Sequence, residues 1–128
     1  MREPEFLTPA IVEQLHTDSL TLFGGSEGVR DRGLIESALA SARNTCLYGH
    51  GDLYDIAATY AFHLAEAQAY LDGNKRTAVA AALTFLKGND VLLRVDDLTI
   101  YNAMIAIAEK RMIKAELAAI FRNNASTT

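Results

Sequence analysis

Two helical runs, about 52–71 and 74–87, meet at Asp72-Gly73, and in both the apolar residues recur at the spacing of a helix face. Asp52 can begin the first run, whose buried stripe is Leu53, Ile56, Ala57, Tyr60, Ala61 and Leu64. The second run is rich in alanine, a strong helix former whose small side chain also lets helices approach closely. Leu83, Phe85 and Leu86 supply its bulk, Asn74 can cap it and Gly88 ends it. This pattern predicts a central, buried helix pair, with the second run as the more buried partner. Alternating strand-like runs are nearly absent from the chain, so a sheet has little to be built from.

The flanking segments read the same way. Thr8-Pro9 starts a helix, a hydroxyl cap followed by the residue whose missing N–H is harmless at the first helical position. Ile11, Val12, Leu15, Leu22 and Phe23 are expected to face the core, and Gly24-Gly25 ends the helix. A glycine-rich connection leads to a second helix over about 31–44, carrying Leu34, Ile35, Ala38, Leu39 and Ala42. Residues 91–95 read as extended. Asp96 or Asp97 caps a helix to about Glu109, another follows over about 113–122, and the polar residues 123–128 read as a frayed tail. The expectation is one all-α domain over residues 1–128, with six helices around the central pair.

Charge and composition exclude several functions. Twelve basic against sixteen acidic residues leave a net charge of −4 with no basic block, which argues against direct nucleic-acid binding. No apolar stretch approaches the roughly 20 residues of a membrane span, and no leader-like start is present, so a soluble, cytoplasmic protein is expected. Cys46 is the single cysteine, with no partner for a disulfide or a thiolate metal pair.

The chemistry concentrates in Asp72-Gly73-Asn74-Lys75-Arg76-Thr77. A helix start leaves N–H groups unpaired and partial positive charge exposed, which suits an anion. Gly73 permits a sharp turn and close backbone approach, Asn74 can hold the turn, and Lys75 and Arg76 add two full charges. Asp72 would repel a phosphate unless a cation lies between them, and magnesium is commonly held by one or two carboxylates plus phosphates. The segment therefore reads as a magnesium–nucleotide site. It reads equally as an ordinary helix–helix turn with a solvated Lys-Arg pair, and spacing alone does not choose.

The run Gln68-Ala69-Tyr70-Leu71-Asp72-Gly73-Asn74-Lys75-Arg76-Thr77-Ala78 resembles the signature of the Fic/Doc family. There a histidine, an aromatic residue and an acidic residue precede Gly-Asn-Gly-Arg or, in Doc-like members, Asn-Lys-Arg. Phe23-Gly24-Gly25 and Gly28-Val29-Arg30-Asp31-Arg32-Gly33-Leu34 are similar to the Doc-type N-terminal region, and Leu83-Thr84-Phe85-Leu86-Lys87-Gly88-Asn89 to the segment after the motif. The likeness covers most of residues 12–121 and implies the all-helical Fic fold. It implies ATP and Mg2+ as cofactors, with Asp72 on the metal and Gly73, Asn74, Lys75 and Arg76 on the phosphates. Tyr70 would pack inward and fix the turn.

Fic members generally transfer AMP to protein hydroxyls, whereas Doc-like relatives phosphorylate a translation elongation factor. Lys75 stands where the Fic motif has its second glycine, and the second arginine of AMP-transferring members would fall on Val79. Both departures imply phosphate transfer. The resemblance also implies a toxin silenced by a small antitoxin in trans. The Ser/Thr-x-x-x-Glu-Gly/Asn brake of other branches is not found, since Glu27 alone precedes Gly or Asn and position 23 is Phe.

Gln68 occupies the place of the family's catalytic histidine. An amide cannot take up a proton at neutral pH, although it can orient a hydroxyl, and loss of proton transfer costs about 10²- to 10⁴-fold in rate. Ala67, Ala69 and Tyr70 depart from the frequent pattern as well, so the change is not confined to one residue. His63 lies about 140° around its helix from Gln68 and is expected to pack between helices. His16 is expected to make a structural hydrogen bond, and His50 to sit in a loop. The sequence thus predicts a Doc-like domain with nucleotide apparatus and impaired transfer. The alternatives are a non-enzymatic interaction protein that binds an antitoxin-like partner and a nucleotide sensor.

Overall fold

The computed structural model describes residues 3–49 and 51–126; the loop expectation for His50 falls outside them. Among the described residues the order is α1 Pro9–Phe23, α2 Arg32–Leu47, α3 Leu53–Ala67, α4 Asn74–Gly88, β1 Leu92–Leu93, α5 Asp97–Ala108, α6 Lys114–Asn123 and β2 Ala125–Ser126. The fold is all-α, as the periodicity predicts.

Capping explains most of the helix starts. Thr8 accepts from the Ile11 N–H with Pro9 in the first helical turn, and Asp31 and Asp96 accept from the Gly33 and Thr99 N–H groups. At α3 the exchange is reciprocal: Asp52 accepts from the Asp55 N–H and Asp55 from the Asp52 N–H. Arg122 on α6 reaches Asp52 at 2.9 Å and ties the last helix to that start.

The hub is α3 rather than α4. It packs on α4, α2, α6 and α5, while α4 packs on α3, α1 and β1. The alanines of both helices permit the close approach, and bulk comes from Tyr60, Phe85, Ile56, Leu86, Phe121, Leu117 and Ile107, all fully buried. Tyr60 and Phe85 pack tilted at 5.2 Å between centroids, and the Tyr60 hydroxyl accepts from the Leu7 N–H at 3.0 Å. That bond moors the segment before α1.

Four boundary and burial expectations need correction. The buried stripe of α1 is Val12, His16 and Ser19, while Ile11, Leu22 and Phe23 are exposed, the last two by 75% and 67%. Leu34 is exposed as well. The third helix ends at Ala67, four residues early, because residues 69–71 pair with the loop before α2. Finally, residues 123–126 are not frayed: Ala125–Ser126 pairs antiparallel with Leu92–Leu93, and the Arg94 N–H donates to the Asn124 carbonyl at 2.7 Å.

Candidate functional site

The turn between α3 and α4 is held from three sides. Gln68 leaves the helix in the left-handed region (φ 51°, ψ 40°), and the chain then runs beside the α1–α2 loop. Val29 and Tyr70 form an antiparallel bridge, with Arg30 N–H donating to the Ala69 carbonyl at 2.6 Å and Leu71 N–H to the Gly28 carbonyl at 3.2 Å. These bonds satisfy backbone groups that a continuing helix would have paired internally.

Tyr70 packs inward, at 2% exposure, with its ring stacked on His16 at 3.6 Å and 9°. His16 Nε2–H donates to the Asp72 carbonyl at 2.8 Å, which is the structural role anticipated for it. The Tyr70 hydroxyl is buried with no hydrogen-bond partner among the described residues. Burial first, and the charge of Glu13 second, push the phenol up to about 12. It therefore stays protonated and is no candidate base.

Asn74 fixes the turn in a different manner from a cap. It is the first residue of α4, and its side chain accepts from the Tyr70 N–H at 3.0 Å and donates to the Tyr70 carbonyl at 2.9 Å. The cap position belongs to Gly73, at φ 79°, and no side chain caps the helix there. A Cβ on Gly73 would meet nothing closer than His16 Cδ2 at 3.6 Å, so glycine is required by the backbone angle and not by space. The first turn of α4 thus has no side-chain cap, and its Lys75 and Arg76 are exposed, an arrangement of the kind that suits an anion.

The charged residues are placed unequally. Asp72 is exposed, its carboxylate accepting from the Gly73 N–H at 2.8 Å and the Ser26 N–H at 3.2 Å. The bond from Ser26, then that from Gly73, holds its pKa below the ordinary 3.8. Gly25 makes room for it, since a Cβ there would lie 2.7 Å from Asp72 Oδ2. Lys75 is exposed and lines two adjoining clefts. Arg76 is partly committed to α1: Nε donates to Ser19 Oγ at 3.0 Å, Nη2 to the Gly24 carbonyl at 3.1 Å, and the guanidinium lies 5.2 Å from the Phe23 ring centroid.

Gln68 is tied into the turn itself. Its Nε2 donates to the Ala65 carbonyl at 2.9 Å, closing the end of α3, and its Oε1 faces Asn74 Nδ2 at 3.5 Å. His63 is far from this role, accepting from Lys114 Nζ at 2.9 Å and standing edge-on to Phe62.

The two clefts open on either side of Lys75. One, of about 620 Å³, runs between α4 and α5 past Phe23, Val79, Leu83, Tyr101 and Met104. The other, of about 180 Å³, lies between Gln68, Lys75 and the C-terminal ends of α3 and α5. Residue spacing does not reveal the first groove, because helical periodicity puts Phe23 on the core face whereas it is exposed and lines the groove. Its position beside Gly24-Gly25, where the chain leaves α1, was the available sign.

No group of three or more metal-ligating side chains occurs among the described residues. Asp72 alone still suits magnesium, which takes one or two carboxylates and completes its shell with phosphates and water. Each of its oxygens uses one lone pair on a backbone N–H and keeps another free.

A family model described as the Fic/DOC family matches residues 6–86, the span from the first helix through the whole of the turn and most of α4. The chain belongs to the Fic/DOC family. It is a Doc-like member: it is 45% identical over 87 residues to Toxin Doc of Mycolicibacterium smegmatis, covering 66% of each protein. It is also 33% identical over 86 residues to Protein kinase doc of Escherichia phage P1, covering 66% of this chain and 68% of that one. The chain therefore spans about two thirds of the length of these relatives. Among the described residues, no helix is long and apolar enough to cross a membrane.

Proposed function

We propose that this Doc-like chain binds the phosphates of Mg-ATP at the start of α4, and that its reaction is phosphate transfer to a hydroxyl of a host protein. The carrying observation is the uncapped helix start at left-handed Gly73 with Lys75 beside it, opening on both clefts. The phosphates would meet the free N–H groups and Lys75, with the remaining guanidinium donors of Arg76 nearby. Asp72 would hold the magnesium ion, whose chemistry is to neutralise charge on the transferring phosphate. Asn74, Tyr70 and His16 hold the turn in place and exclude water from beneath it.

Phosphate transfer is favoured over AMP transfer by Lys75 and by the relative called Protein kinase doc. The relative called Toxin Doc supports a toxin role, and with it a small antitoxin as the partner in trans; a cytoplasmic site of action and a translation elongation factor as the target class are our extension of that reading. Gln68 slows the transfer, because its amide takes up no proton and is already used inside the turn.

Both amide ends being used also favours the second reading, an interaction protein that keeps the fold only to bind its antitoxin-like partner. Thermal denaturation with ATP and magnesium separates the two. A ligand at 100 times its dissociation constant adds about 2.7 kcal/mol, so a site of this kind raises Tm visibly. Lys75→Ala should remove most of the shift; it is cleaner than a change at Arg76, which would also release the end of α1. No shift at millimolar ATP in the parent chain would leave the interaction reading in possession.

A further inference from the structure

Because Gln68 is spent on the turn, the pocket it lines needs another proton acceptor if transfer is to occur at all. That pocket holds about 180 Å³ and has an apolar far wall of Met104, Ile107 and Ala108. Its ionisable lining residues are Lys75 and Glu66. A lysine ammonium has no lone pair to offer, and a glutamine amide is a poor base. Glu66 is therefore the one side chain of this lining that can take up a proton.

Its placement suits the task. Glu66 stands on the last turn of α3, two residues before Gln68, exposed to solvent and lining the pocket. The left-handed backbone at Gln68 turns the following chain back toward α4, so the end of α3 and Lys75 face one small space. Protein kinases use a carboxylate in the same capacity, to accept the proton of the substrate hydroxyl.

We propose that Glu66 is the general base of this chain, a role that rests on the Mg-ATP reading above. The target hydroxyl oxygen bonds to the γ-phosphorus of ATP while the bond from that phosphorus to the β,γ-bridging oxygen breaks. The hydroxyl proton passes to a carboxylate oxygen of Glu66, and ADP leaves with the bridging electron pair. Lys75, across the pocket, faces the negative charge of the group in transit.

The test uses the full chain with Glu66→Gln and Glu66→Asp, measured in two ways. The first is the rise in Tm with ATP and magnesium; the second is transfer of γ-labelled phosphate to proteins of a bacterial extract. Glu66→Gln should keep the whole Tm shift or enlarge it, because a negative charge near the phosphates is removed. Its transfer should fall about 100-fold or more, in kcat and not in KM for ATP, while Glu66→Asp retains part of the rate. Glu66→Gln transferring at the parental rate would overturn the assignment, as would a smaller Tm shift in that variant. A parent chain that binds ATP but labels nothing overturns it too, while leaving the nucleotide site standing. No Tm shift in the parent removes the nucleotide site as well.

Discussion

Asn74 shows how much one side chain can decide. Both its polar atoms are used on the backbone of Tyr70, four residues earlier, and the residue is itself buried. Replacing it with alanine strands the Tyr70 N–H and carbonyl at a site closed to water. A buried polar group left unpaired costs about 1–3 kcal/mol, so Asn74→Ala should lower stability by at least about that amount in urea denaturation. A loss within about 0.5 kcal/mol would mean that the turn is held mainly by His16 and the Val29–Tyr70 bridge. That Asn74 holds the turn was legible from Asp-Gly-Asn in the sequence. The way it does so was not, because a cap and a loop-closing bond use the same amide. The role of Gln68 as a helix end was hidden for a related reason: glutamine carries no left-handed preference, so only the pairing of residues 69–71 reveals it.

Helices were easier to read than their ends. The six spans follow from 3.6-residue periodicity and from capping residues at Thr8, Asp31, Asp52 and Asp96, all of which act locally. What failed was non-local: α3 stops at Ala67 because a loop some 40 residues earlier offers it β-type partners, and Phe23 faces Arg76 across two helices. The α3–α6 contact yields a pH prediction. Burial first, and the ammonium of Lys114 second, hold the His63 pKa below the ordinary 6.5. The unfolded chain then takes up a proton before the folded one does as pH falls. The stability that depends on neutral His63 is complete above 6.5 and declines as pH drops from there through the lower folded value. The urea midpoint should therefore fall between about pH 7.5 and about pH 5.5, and His63→Gln, which still accepts from Lys114, should shrink that fall. An equal fall in the variant would assign the pH response to other groups.

At the scale of the molecule, the site is a joint between two halves. The segment of α1, its loop and the start of α2 supplies His16, Ser19, Ser26 and Val29, while the α3–α4 hairpin supplies the turn they hold. Little of that joint depends on the side chain at position 68. Gln68→His would forfeit the bond to Ala65 and the long contact to Asn74, a cost of about 0.5–1.5 kcal/mol against a typical domain stability of about 5–15 kcal/mol. Histidine is also among the residues that enter the left-handed region with some frequency, so the backbone at 68 can stand as it is. An imidazole there would no longer be spent on the end of α3 and would face the pocket shared with Lys75. We therefore expect Gln68→His to fold, to modify protein faster than the slow parent and to inhibit growth on expression, while the parent is tolerated. Adding Asp72→Ala should restore growth, because transfer depends heavily on the placement and charge of the metal. ATP labelled at the γ- or the α-phosphate would identify the group that moves, and Lys75 leads to the γ-label. A Gln68→His chain that folds, binds ATP, and yet transfers neither label would show that the site lacks more than its histidine. A nucleotide sensor, which binds ATP without transferring from it, would then be the better account of why the joint is kept.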